Sequence, residues 1–316
     1  MDQVSRFRKV NLKKYIVYIS FIVVFAAFSI ILPDSFLTRQ NIVNILRQTA
    51  MISVAGVGMT FAITAGQIDL STGGVTAITG LVTALTLKSA PVFVAVLAGL
   101  TVGIICGSLN GLLLTKARIP AFIVTLGTGT IFSGIARALT NLEAVPIVSE
   151  KFTKYFGSGN MLFIPSLLFW TVIIVFVGQY VYKKTPFGRS VLAVGGNEAS
   201  ARYSGIHVDR IKFWVMVICS ITAAFAGVLY AGRMHGARYT YGENDSMNII
   251  AAVVIGGTSF SGGKGTVAGT LIGSLVIGML NNGLLLLGLS VNEQMIARGI
   301  VIILAVSLSL REKRSN

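Results

Sequence analysis

The sequence predicts an all-α polytopic membrane protein of about ten transmembrane helices, interrupted by Gly-rich broken or re-entrant segments. Three observations carry this. Only 12% of the 316 residues are charged and 54% are hydrophobic, with a mean hydropathy of +0.80, whereas a soluble domain carries about 25% charged residues. The apolar residues fall in long uncharged runs, and about 18 such residues suffice to cross a bilayer as a helix. Glycine is abundant, at 35 residues, which suits close helix packing and helix breaks. This composition argues against a soluble enzyme and against a DNA-binding protein. No nucleic-acid partner is expected, despite a net charge of +15.

The runs follow in order. Uncharged stretches occupy 15–32, 48–68, 70–87, 89–115, 119–136, 155–182, 213–232, 246–263 and 265–292, and a tenth, 294–310, holds only Arg298. The first ends in Pro-Asp without a small-residue cleavage pattern, so it reads as a retained span rather than a signal peptide. The third and eighth runs carry adjacent glycine pairs, Gly73-Gly74 and Gly256-Gly257, and are the expected broken or re-entrant ones. The chain reads as a single transmembrane domain over 1–316, with basic tails at 1–14 and 311–316.

An even count places both termini on one side. Both are basic, with Arg6, Arg8, Lys9, Lys13 and Lys14 at the start and Arg311, Lys313 and Arg314 at the end. If both are cytoplasmic, so are Lys116, Arg118, Lys264 and the connection 183–212. Seventeen of the 26 Lys and Arg then lie inside, as the positive-inside rule requires. A multi-pass protein of the bacterial inner membrane, with both termini cytoplasmic, is the expectation.

The connection 183–212 carries six of those basic residues, at 183, 184, 189, 202, 210 and 212, and two acids, Glu198 and Asp209. Asn197 is a suitable N-cap for a short helix from Glu198 to Tyr203 that Gly205 ends. On composition alone, such a helix either docks a partner or lies on a lipid surface.

The sharpest polar signal is GQIDLSTGG at 66–74. Asp69 is the only charge between Gln48 and Leu87, and a carboxylate in such a run is expensive enough to suggest function. It is either a turn acid that caps the next helix, with Ser71 or Thr72 sharing the cap, or a transport or gating residue. Gln67, Asn110, Gln179, Asn248, Asn281 and Asn282 are further polar groups within apolar runs. Each either makes an interhelical hydrogen bond or lines a path for a neutral polar solute. Asn281 and Asn282 differ by about 100° around a helix and cannot both face one neighbour.

A second Gly-rich segment, GGTSFSGGKG at 256–265, looks like a phosphate loop and fails as one. Thr258 stands where the first Gly of the motif belongs and Gly265 replaces the Mg-binding hydroxyl. It reads as a glycine-permitted helix break, and it weakly echoes 66–80. No catalytic residues are assigned. Ser259 and Ser261 would need a histidine nearby, yet His207 and His235 fall in loops on opposite sides. Cys106 and Cys219 lie in apolar runs and suggest neither a disulfide nor a metal site.

Three segments together carry a resemblance: GQIDLSTGG, FGRSVLAVGGNEASARYSGI and AAVVIGGTSFSGGKGTVAGTLIGSLVIGMLNNGL. In this order and spacing they resemble the membrane permease of ribose-type sugar ABC importers, over about 37–310. That family includes permeases for ribose, xylose, arabinose, galactose, inositol and autoinducer-2. The resemblance implies a type II ABC-importer-like fold and a homodimer or heterodimer of permeases. It implies a periplasmic or lipid-anchored sugar-binding protein as a further partner, and a separate ATPase subunit that holds ATP and Mg. It places an ATPase-docking coupling helix in 183–212, with Gly195, Gly196, Asn197, Glu198, Ala199, Arg202 and Gly205 as contact candidates. The translocation or gating candidates are Gln67, Asp69, Ser71, Thr72, Asn110, Asn248, Asn281 and Asn282. The chain itself is expected to bind no cofactor or metal. The rival reading is a stand-alone secondary transporter or facilitator.

Overall fold

The computed structural model describes residues 16–161, 163–243, 245–290, 292–297, 299–300 and 303. Helix α1 (Ile16–Ile31) leads through the single turn α2 (Pro33–Phe36) into α3 (Arg39–Thr64). Then come α4 (Thr72–Thr86), α5 (Val92–Thr115) and α6 (Ala121–Ala138). A largely non-helical stretch holds β1 (Val145–Pro146), the short α7 (Glu150–Phe156), β2 (Asn160–Met161) and β3 (Ile164–Pro165). The chain continues through α8 (Ser166–Lys184), α9 (Pro186–Gly196), α10 (Glu198–Tyr203), α11 (Val208–Arg233), β4 (Gly236–Ala237), α12 (Asp245–Ile255) and α13 (Val267–Leu286). The strands form two antiparallel pairs, β1 with β4 and β2 with β3.

Among the described residues, six helices are long and apolar enough to cross a membrane: α3, α5, α6, α8, α11 and α13. The expectation of about ten crossing helices is therefore met only in part. The third and eighth runs form α4, of 15 residues, and α12, of 11 residues. At 1.5 Å per residue these reach about 22 and 16 Å, short of a hydrocarbon core of about 30 Å. The first run forms a helix of 16 residues. The tenth is preceded by a capping box, in which Ser290 N–H and hydroxyl donate to Glu293 at 2.7 and 2.8 Å. Most of that run, and both basic tails, lie outside the described residues.

Helix α11 is the hub, packed against α3, α4 and α5. Small residues let these backbones nearly touch. A Cβ at Gly107 of α5 would fall 2.7 Å from the Val217 Cα, and one at Gly58 of α3 would fall 2.6 Å from the Cys219 Cα. On α4, Gly80 meets Gly227 in the same way. This is how membrane helices associate when no hydrophobic force distinguishes neighbour from lipid. Large apolar side chains turn outward instead, such as Phe93, Leu97 and Ile105 on α5 and Phe176 on α8.

Helix α13 runs antiparallel to α3, joined by a ladder of polar pairs. Asn41 and Asn282 exchange hydrogen bonds of 3.0 and 2.9 Å, Ser53 meets Ser274 at 2.5 Å, and Thr60 meets Thr270 at 2.7 Å.

The packing predicts a contrast between two glycines. Gly107→Val drives atoms into the α11 backbone and should lower stability by about 1–3 kcal/mol or abolish the folded protein. Gly127→Val should be silent, since nothing lies within 4 Å of where a Cβ would stand. Thermal unfolding in detergent, followed by size-exclusion chromatography, distinguishes the two.

Candidate functional site

Two helix breaks and one helical connection meet at the same end of the bundle. Helix α3 stops at a left-handed glycine, Gly66, with φ +75°. Gly66 N–H donates to Ile63 O and Gln67 N–H to Ala62 O, both at 2.9 Å, the paired bonds of a Schellman stop. Helix α12 stops in the same way. Gly257, with φ +90°, donates to Val254 O at 2.9 Å and Thr258 N–H donates to Val253 O at 3.2 Å. The echo between the two Gly-rich segments thus has a structural basis in one shared helix ending.

The first break then turns back toward α4, and Asp69 lies fully buried within it. Its Oδ1 accepts from Ser71 N–H at 2.8 Å and from the Ser71 hydroxyl at 2.6 Å. This is an Asx turn just ahead of α4 rather than the expected helix cap: Ser71 is the N-cap residue without a side-chain cap bond of its own, and the first-turn Gly73 N–H goes to Ser246 instead. The chain of bonds continues into two helices. Asn110 Nδ2 of α5 donates to Ser71 Oγ at 2.8 Å, and the Thr128 hydroxyl of α6 donates to Asn110 Oδ1 at 2.7 Å. The Thr125 hydroxyl of α6 accepts from Leu70 N–H at 3.0 Å. On the other side, Ser246 of α12 accepts from the Thr72 hydroxyl at 2.9 Å and from Gly73 N–H at 3.0 Å. Asp69 Oδ2 is buried without a hydrogen-bond partner among the described residues.

The structure therefore brings together Asp69, Ser71, Thr72 and Asn110. Gln67 stands apart, its amide donating to Ala65 O at 3.3 Å. Asn248 is buried on α12, two residues beyond Ser246. Asn282 pairs with Asn41, while Asn281 Oδ1 is buried without a partner among the described residues. The two adjacent amides do face different surroundings, as the helical angle requires.

The connection 183–212 is more helical than its sequence suggests. Helix α10 has the expected bounds, with Asn197 Oδ1 accepting from Ser200 N–H at 2.9 Å and Gly205 at φ +81°. Helix α9 is additional. Its signal is Thr185, which caps Gly188 N–H at 3.2 Å, followed by Pro186 at the first helical position; the pair Gly195-Gly196 disguises the rest as loop. Gly195 is turned inward, where a Cβ would collide with Thr64 O and fall 2.8 Å from Gly263 N. Gly263 N–H itself donates to Thr64 O at 2.9 Å. Glycine is thus needed here for close backbone approach, and the ends of α3, α9 and the second break are locked together.

Gly196, Asn197, Glu198, Ala199, Arg202 and Gly205 are exposed. Glu198 pairs with Lys212 at 2.7 Å and with Arg202 at 3.5 Å, and Arg202 reaches Asp209 at 3.4 Å. Each such pair at the surface contributes little alone, but together they fix α10 to the first turns of α11. Tyr203 carries no signal in the sequence, yet it is 93% exposed at the end of α10. Between α10, the first break and the α5–α6 turn lies an open cleft of about 600 Å³, lined by Gln67, Arg118, Phe122, Glu198, Arg202 and Lys212 among others. At the opposite end, the Ser158 hydroxyl meets His235 at 2.9 Å, distant from Ser259 and Ser261.

Residues 41–306 match the family described as branched-chain amino acid transport system / permease component. Ribose import permease protein RbsC of Haemophilus influenzae is 42% identical over 294 residues, covering 92% of this chain and 90% of that protein. Its namesake in Bacillus subtilis is 41% identical, covering 89% and 88%. The D-allose transport system permease protein AlsC of Escherichia coli is 35% identical, covering 93% and 91%. No solved structure matches the chain.

The buried chain of bonds is open to a double-mutant cycle. Asn110→Leu should destabilise the protein by about 1–3 kcal/mol, because it removes the buried amide that links Ser71 to Thr128. Thr128→Val should cost less in the Asn110→Leu background than alone, with a coupling of at least about 0.5 kcal/mol. Strict additivity in thermal unfolding would remove Asn110 as the bridge.

Proposed function

We propose that this chain, which belongs to the branched-chain amino acid transport system / permease component family, is the membrane-spanning subunit of an ATP-driven importer of ribose or a closely related sugar. The observation that carries this is the 42% identity to a ribose import permease over 92% of the chain.

In this reading, energy comes from a separate ATPase subunit, which holds ATP and Mg. A sugar-binding protein delivers the solute at the end of the bundle that bears α7 and the strand pairs. A second permease, identical or similar, completes the path. The ten apolar segments are six full helices, the shorter α1, the two part-helices α4 and α12, and a tenth segment beginning near Gln294. The α10 end faces the cytoplasm of a bacterial inner membrane. Support comes from the basic residues gathered there, since Arg118, Arg202 and Lys212 line one cleft and the segment holding Lys264 packs on Gly195 and Gly196.

Helix α10 is the ATPase-docking element in this reading. Its support is exposure of Asn197, Glu198, Ala199 and Tyr203 on a helix held by its ion pairs. The cleft beside it is floored by Gln67 and Ile68, so movement of α10 meets the first break directly. Asp69, Ser71 and Asn110 then act as the fixed point about which α4 and α12 shift.

The test is co-reconstitution in liposomes with the ATPase and the sugar-binding protein. Ribose uptake should require ATP on the ATPase side, and uptake by this chain alone without ATP would instead support a facilitator. Glu198 and Arg202 are poor probes, because their removal also frees α10 from α11. Tyr203→Ala should weaken ATPase association by about tenfold, a scale set by loss of one interface aromatic, while dimerisation and folding stay normal. Unchanged association would reject α10 as the docking element.

A further inference from the structure

We infer that the outer part of the translocation path runs along the face of α3 that carries Asn44, Arg47 and Gln48, opposite Arg233 and Asp245, and that this face binds the hydroxyls of an uncharged polyol. The inference rests on the sugar-importer reading for its ligand, but its geometry stands apart from that reading.

Arg47 is the ninth residue of a 26-residue helix. At 1.5 Å per residue it lies about 12 Å inside the helix start. A guanidinium at such depth is costly and is found facing a bundle interior or a water-filled cavity. Arg47 Nε is buried and has no hydrogen-bond partner among the described residues, although the side chain as a whole is half-buried. Its neighbours one turn away are also polar. Asn44 is exposed and Gln48 half-buried, and positions i, i+3 and i+4 share one side of a helix. An amide exposed on this face is unsuited to lipid, unlike the outward side chains of α5.

The surroundings are equally polar. Arg233, the last residue of α11, lies within electrostatic reach of Arg47, Tyr230 and Asp245. The Tyr230 hydroxyl donates to Asp245, the first residue of α12. Tyr241 stacks on Tyr230 with ring centres 5.9 Å apart. Two guanidinium groups, a carboxylate and two phenol rings thus converge where α3, α11 and α12 meet, at the end opposite α10. Arginine donors, an acidic acceptor and aromatic faces are suited to a ring that carries several hydroxyls. A site with two guanidinium groups for one carboxylate also retains donors for a solute that brings only oxygen.

The test uses the complete importer, with its ATPase and binding protein, in proteoliposomes. Asn44→Cys is treated with a charged, membrane-impermeant methanethiosulfonate reagent from the side of the binding protein. The native thiols of Cys106 and Cys219 are buried. Ile105→Cys, on the apolar outer face of α5, is the control. The Asn44→Cys thiol should react, its reaction should slow under loaded binding protein, and uptake should fall on modification; the Ile105→Cys thiol should stay unmodified. Arg47→Gln should lower ribose uptake by about tenfold or more, with partial rescue by Arg47→Lys, as expected for loss of one charged hydrogen bond. An Asn44→Cys thiol as inert as the Ile105→Cys thiol, or crosslinked directly to its copy in a second subunit, overturns the inference. So does full uptake by Arg47→Gln. If Arg47→Gln fails to assemble, the labelling contrast decides. Labelling of Asn44→Cys in a parent that takes up no sugar would reject the importer reading and keep the water-lined path; sugar uptake without labelling would do the reverse.

Discussion

Inside a membrane every backbone polar group must be satisfied by the protein, and the break between α3 and α4 is where this constraint bears hardest. Seven residues between Thr64 and Thr72 lie outside the two helices. Side chains supply much of what they need. Thr125 holds Leu70, Ser246 holds Gly73, and Asp69 holds Ser71. Asn110 ties the last of these to α5 and α6. Remove that set and the break has no means of staying dry. The position of α4 depends on it, and with α4 the packing around α11.

The second break is handled differently. Residues 256–266 use backbone contacts and glycine: Gly262 and Gly263 lie against Gly195 and Gly196, and Gly269 against Gly256. Close approach does most of the fixing, and side-chain hydrogen bonds are fewer: Thr258 accepts from Thr266 N–H, and Thr266 caps Gly269 N–H. The two Gly-rich segments read alike in sequence and end their helices alike. They then diverge, one tied by hydroxyls and an acid to three other helices, the other held mainly by backbone against the α9 connection. The 35 glycines therefore have at least two separate uses, hub packing around α11 and locking of this junction.

Much of this is legible in the residues. Low charge and long apolar runs announce the membrane helices, and the Gly-rich motifs at 66–74 and 256–265 flag the two runs that prove too short to cross. The cap at Asn197 and the stop at Gly205 follow from local rules that tertiary context does not override. What escapes does so for physical reasons. Helix α9 is hidden because Gly195 and Gly196 are weak helix formers, and they are there for contact with Thr64 and Gly263 rather than for local preference. Thr125 and Ser246 are ordinary hydroxyl residues whose partners Leu70 and Gly73 lie 55 and 173 positions away in sequence. No spacing rule reaches that far. Arg47 falls at the edge of an uncharged run and looks like the start of a span, whereas the helix begins eight residues earlier, at Arg39.

The part-helices α4 and α12 have a consequence in electrostatics. Each begins within the bundle, and their first turns meet across Ser246. A helix start carries the equivalent of about half a positive charge, so two of them face one another in a medium that screens poorly. Left alone they would push apart. One acid stands at each start, Asp69 three residues before α4 and Asp245 as the first residue of α12. The joint between the two half-helices is thus held by paired macrodipoles and carboxylates, an arrangement in which a small change of angle alters the balance of repulsion and attraction at once.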